Sequence, residues 1–147
     1  MNNKFIEFNE KKRILGYYIN ILDDYFKILE ASKSMIALSV EGASASRIDK
    51  KIEALKIDVA EYRDRAWEDW YLYTDELKCM EEAMKSFNED DFEFAETNLN
   101  TIISDAERDY QELMTLNKEL SFIFGDAKLN FGQGKLCGEN GEEPSEE

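Results

Sequence analysis

Thirty-three acids and no histidine bound the chemistry open to this chain of 147 residues. Glu93 and Glu96, like Glu7 and Glu10, stand three apart. On a helix each pair projects to one side and offers two carboxylates to Mg²⁺. The absence of histidine removes the commonest general base and the Ser–His and Cys–His nucleophile systems. Cys79 and Cys137 have neither a neighbouring activator nor metal-ligand spacing, and no Gly-x-x-x-x-Gly-Lys phosphate loop occurs. The residues point away from catalysis, with no cofactor and no metal site expected.

Binding is the chemistry the acids suit better. The pairs Glu68/Asp69, Asp75/Glu76 and Glu81/Glu82 recur at six- to seven-residue intervals. Seven residues make nearly two helical turns, so Glu68, Asp75 and Glu82 fall on one face about 10 Å apart. Further along come Glu89, Asp90, Asp91, Glu93 and Glu96, then Asp105, Glu107, Asp109 and Glu112. Residues 1–65 carry 12 Lys and Arg against 11 acids, whereas residues 66–147 carry 6 against 22. Charges of one sign gathered into one half repel one another, repel nucleic acid and anionic membrane, and steer basic partners inward. Beside the acids, Trp67 and Tyr71 stand four apart and off the apolar stripe, as an aromatic anchor for an interface would.

Long helices must position these groups. Ile48, Ile52, Leu55, Val59, Tyr62, Ala66, Trp70, Tyr73, Leu77, Met80, Met84 and Phe87 recur at steps of three and four, one seam that needs covering by another helix. The rhythm slips at Val59-Tyr62-Ala66-Trp70, where steps of three, four and four rotate the stripe. Upstream, Ile14/Leu15, Ile21/Leu22, Ile28/Leu29 and Met35/Ile36 repeat every seven residues with Tyr18 and Tyr25 between them, a broad stripe suited to two neighbours. Downstream, Phe92, Ala95, Leu99, Ile103, Ala106, Tyr110, Leu113, Asn117, Leu120 and Phe124 continue the pattern, with Asn117 a polar member that can set register.

The spacing predicts an all-α fold: an antiparallel three-helix bundle of long, coiled-coil-like helices over about 4–38, 46–87 and 91–124. Ser46 with Asp49, and Asp90 with Glu93, read as caps of the second and third helices. Residues 1–124 form one domain, and 125–147, rich in Gly and Glu, form a flexible acidic tail. The second helix is the longest, and its overhanging seam invites a homodimer. Neither a signal peptide nor a run long enough to span a membrane is evident, and two distant cysteines suit a reduced, cytoplasmic chain.

Ala83-x-x-x-Phe87 followed by Asp90-Asp91-Phe92-x-x-Ala95 resembles a fragment of a tetratricopeptide repeat. No second copy occurs, so a solenoid is not implied. The expected function is a small acidic protein-binding protein, of the kind a phage or mobile element uses as an inhibitor. It would block a nucleic-acid-handling enzyme by nucleic-acid mimicry, with carboxylates in place of phosphates. The basic partner is a protein, with no direct contact to nucleic acid or membrane. Its contact residues are expected to be Glu68, Asp69, Asp75, Glu76, Glu82, Glu89, Asp90, Asp91, Glu93, Glu96, Trp67 and Tyr71. The alternative is a helical scaffold, adaptor or assembly chaperone working through the apolar seam. An Mg²⁺-dependent, all-α nucleotide pyrophosphohydrolase is a minor alternative, because it needs a second acidic element that follows neither Glu-x-x-Glu pair.

Overall fold

A computed structural model describes the backbone of residues 1–39 and 43–124, and the side chains of 1–33, 47–116 and 118. The expected acidic tail, Cys137 and the side chain of Asn117 lie outside the described residues. Three helices follow one another: α1 (Asn2–Ser39), α2 (Ala43–Lys85) and α3 (Glu89–Phe124). They form the antiparallel three-helix bundle that the spacing predicts.

Cross-helix contacts set the directions. Lys33 bonds Glu53, Lys56 pairs with Glu30 at 3.6 Å and Arg63 with Asp23 at 3.6 Å, so α1 and α2 run oppositely. Tyr62 donates to Glu112 at 2.8 Å and Arg65 meets Asp109 at 3.5 Å, giving α2 and α3 the same relation. The outer helices are therefore parallel. Lys4 meets Glu96 at 3.0 Å, and Tyr18 meets the Tyr110 ring edge to face, 6.0 Å between centroids. α2 packs along both neighbours, while α1 and α3 touch each other far less.

The heptad rhythm of α1 is buried as its spacing requires: Ile14, Leu15, Tyr18, Ile21, Leu22, Tyr25 and Leu29 all enter the core. On α2, Ile52, Leu55, Val59, Ala66, Trp70, Tyr73, Leu77 and Met80 are buried, and Ile48, Tyr62 and Met84 pack against them. Among the described residues, one chain covers this part of its own seam. The Tyr73 hydroxyl donates to the Phe8 carbonyl and pins the start of α1 to the last third of α2. On α3, Ile102 is buried and Ile103 is half-buried, a slight rotation of the expected stripe.

Helix ends depart from expectation. α2 begins at Ala43, so Ser46 lies inside the helix and does not cap it, and Asp49 instead faces Lys33 at 4.0 Å. α2 stops at Lys85, and Phe87 leaves the seam altogether with φ at 55° and 82% of its surface exposed. The N–H of Asn88 donates to the Ala83 carbonyl and that of Phe87 to the Met84 carbonyl, the paired bonds of a helix ended by one left-handed residue. Glycine normally takes that position; a bulky side chain there costs about 1 kcal/mol. With the chain turned at Phe87, the cap of α3 falls to Asn88 rather than Asp90. Asn88 Oδ1 accepts the Asp91 N–H at 3.1 Å and its Nδ2 donates to the Asp91 carboxylate at 2.8 Å, so Asp91 takes the reciprocal place expected of Glu93.

Candidate functional site

The acids expected to bind a partner fall into two groups on the structure. Glu82, Glu89, Asp90, Asp91 and Glu93 are exposed around the α2–α3 turn, with Glu76 half-buried on the α2 side. Glu68 and Asp75 are exposed higher on α2, whereas Asp69 is half-buried towards α3. Glu96 belongs to neither set. One of its oxygens bonds Lys4 of α1, and the other is buried with no hydrogen-bond partner among the described residues. That contact raises the pKa of Lys4 through the hydrogen bond and charge of Glu96. Glu96 is a tie between outer helices.

Cross-helix pairing is uneven along the molecule. Towards the α1–α2 turn, Asp23, Glu30, Asp49 and Glu53 all meet a cation from the neighbouring helix. Lys33 holds the Glu53 carboxyl below its ordinary range by direct hydrogen bonding. Around the α2–α3 turn, Glu82, Glu89, Asp90 and Glu93 have no ion pair among the described residues, and neither do Glu68 and Asp75 on α2. Exposed ion pairs contribute less than about 1 kcal/mol each. Lys4–Glu96 and Lys85–Glu81 pair at the far end too, and still leave Glu82, Glu89, Asp90 and Glu93 there without a paired cation among the described residues.

Trp67 and Tyr71 come together as expected, their rings stacked at 5.9 Å and 28°. Trp67 is half-buried against the core, while Tyr71 and its neighbour Leu72 are 54% and 47% exposed. This patch lies roughly 15–22 Å up α2 from Glu82, at about 1.5 Å per residue, so aromatics and turn acids are separate surfaces.

Between the middle of α2 and α3 lies a polar layer that the charge pattern does not reveal. Asp109, expected on the acidic surface, is only 6% exposed. Its carboxyl is pushed above the ordinary range by burial, against the pull of Arg65. Burial and the facing charges of Asp109, Asp105 and Glu68 raise Asp69 to about 7. Tyr62 rises to about 12, through burial and its bond to Glu112. From α1 the Tyr18 hydroxyl, fully buried and without a hydrogen-bond partner among the described residues, is held protonated by burial and by Asp109. These groups meet where the seam of α2 slips its rhythm. The signal for Asp109 in the sequence is its place three residues after Ala106 and beside Tyr110, on the edge of the α3 stripe.

A groove of about 360 Å³ opens between the end of α2 and the start of α3. The buried Ala83 and Ala95 lie at its base, the exposed Cys79 and Phe94 at its sides, and Glu76, Glu82, Ser86 and Asp91 around them. Phe94, which the periodicity leaves off the core stripe, is 69% exposed, and Phe87 stands just past Ser86 at the groove's end. Burial, and after it Glu76 and Glu82, raise the Cys79 thiol pKa, so it meets the groove as a protonated, weakly polar group. Among the described residues no three acid or thiol groups converge as a metal site would require, and no helix is long and apolar enough to cross a membrane.

Comparison with known proteins finds no family that matches the chain, and neither a curated protein nor a solved structure that matches it.

Proposed function

We propose that this chain is a non-enzymatic binding protein that presents the acidic faces of α2 and α3 to a basic protein. In its sharper form it is an antagonist whose carboxylates occupy a phosphate-binding surface. The single observation that carries the reading is the contrast in pairing. Asp23, Glu30, Asp49 and Glu53 meet cations across α1 and α2, whereas Glu68, Asp75, Glu82, Glu89, Asp90 and Glu93 face solvent with no ion pair among the described residues. Each could have been matched by lysine at no structural cost, since all are exposed. Glu68, Asp75 and Glu82 space charge about 10 Å apart along a rigid rod, a fixed row for a partner's Lys and Arg to meet.

The test is capture of basic nucleic-acid-binding proteins from a lysate by the full chain and by a Glu68→Lys/Asp75→Lys/Glu82→Lys variant. The wild type is expected to retain them at low salt and to release them to added duplex DNA and to about 0.5 M salt, where screening acts within a few Å. Equal retention by the charge-reversed variant overturns the reading.

A second reading, an assembly module, rests on the exposed Tyr71 and Leu72 beside the stacked Trp67. It predicts capture that survives high salt and is lost in Trp67→Ala.

A further inference from the structure

We propose that the groove between the end of α2 and the start of α3 receives a cationic amphipathic helix of the partner. An apolar side chain of that helix would lodge against Phe94 and Phe87, and its Lys or Arg residues would meet Glu76, Glu82 and Asp91. This deepens the acidic-face reading and rests on it.

The floor and the rim of the groove ask for different things at once. Phe94 and Cys79, over the buried Ala83 and Ala95, present apolar surface that only an apolar group can cover with profit. Glu76, Glu82 and Asp91 surround it, and a neutral ligand seated there would strip water from carboxylates without replacing their partners. An anionic ligand meets repulsion. A second copy of this chain, with formal charge −15, would bring its own acids against these. A simple polycation satisfies the rim but leaves the rings in water. One chemistry fits both: positive charge flanking an apolar stripe, as on an amphipathic helix laid in a groove.

Dimensions agree. Glu76 to Ser86 spans about 15 Å of α2, enough to seat roughly three turns of a guest helix. Phe87 adds an independent indication, for an aromatic ring is held in solvent at a left-handed position where glycine serves the turn better. A side chain kept there against backbone preference, next in sequence to the groove-lining Ser86, has a use other than closing the turn.

Two synthetic peptides of equal length and charge serve as probes, one a helix-forming sequence of Lys, Leu and Phe, the other of Lys, Gly and Ser. Binding to the full chain carrying Cys137→Ser is followed calorimetrically, and by the rate at which iodoacetamide alkylates Cys79. The amphipathic peptide is expected to bind at least tenfold more tightly and to slow alkylation of Cys79. Phe94→Ser and Phe87→Gly should each weaken that peptide at least fivefold while leaving the apolar-free peptide unchanged, and Glu76→Gln/Glu82→Gln should weaken both. If both peptides bind alike and the Phe variants change nothing, the groove proposal falls and the acidic-face reading stands. Binding to neither peptide at low salt overturns both. Amphipathic binding that ignores salt and the Gln variant also overturns the groove proposal, because the rim then plays no part. Both rings are exposed, so circular dichroism should report an intact bundle in each variant.

Discussion

Oδ2 of Asp109, a carboxylate almost sealed within α3, lies 3.5 Å from Nε of Arg65, whose side chain is half in water on α2. One ion of this pair is solvated and the other is not. Asp109 is the costly member, for burial raises its pKa even with the guanidinium beside it. Removing Arg65 leaves that carboxylate without its cation. Arg65→Met is therefore expected to destabilise the bundle by about 1–2 kcal/mol at pH 8, and adding Asp109→Leu should recover most of the loss. Urea unfolding of the two single variants and the double variant measures this; simple additivity would count against the pairing.

Asp69 gives a pH dependence. Its pKa rises from an ordinary carboxylate value to about 7 in the fold, so the folded chain holds that proton more tightly than the unfolded chain. The stabilisation is complete below about pH 4 and lost as pH rises through about 7. Asp69→Asn, neutral throughout, should stabilise by about 1–2 kcal/mol at pH 8, a figure reduced for partial solvation, and by almost nothing near pH 4. The same gain at both pH values, measured by denaturant unfolding, would sink the assignment.

Phe87→Gly should raise stability by about 1 kcal/mol, a few degrees in Tm, by relieving the left-handed position. Asn88→Ala should lower it by about 1 kcal/mol through loss of the α3 cap. Opposite signs at adjacent residues, read by thermal unfolding, identify the turn. A loss of stability in Phe87→Gly would mean that the ring packs.

Tyr73→Phe removes the hydroxyl bonded to the Phe8 carbonyl while keeping the buried ring. The expected cost is about 1 kcal/mol. Faster amide exchange should appear at the start of α1, which that bond fastens, and not along α3. Uniform change across the chain would argue against a local tie.

The repeats made the bundle legible. Ile14/Leu15 and Ile21/Leu22 on α1, and the α2 seam from Ile52 to Met80, could be placed by periodicity alone because helical phase decides which side must leave water. The turn was not legible to the residue. Asn88 and Asp90 are both competent caps, and the outcome depended on where the preceding helix unwound, which Phe87 concealed by continuing the apolar count. The acids around that turn could be gathered from sequence, since a short connection folds them together. Asp69 and Asp109 escaped because an acid at the margin of a stripe looks like any solvated acid until the opposite helix closes over it. Phe94 escaped for the reverse reason: one aromatic residue off the stripe has no periodic partner.

That α2 is shared while α1 and α3 scarcely meet makes this molecule two helical hairpins with a common limb. Each hairpin joins neighbours in sequence, so either can assemble without waiting for a distant strand of chain to arrive. Between the outer helices the described links include the Tyr18–Tyr110 rings and the Lys4–Glu96 bridge, within one apolar core that all three helices share. Because α1 and α3 each lean on α2 far more than on each other, loss of either outer helix would strip one whole flank of α2, and α2 is the limb on which the protection of both others depends.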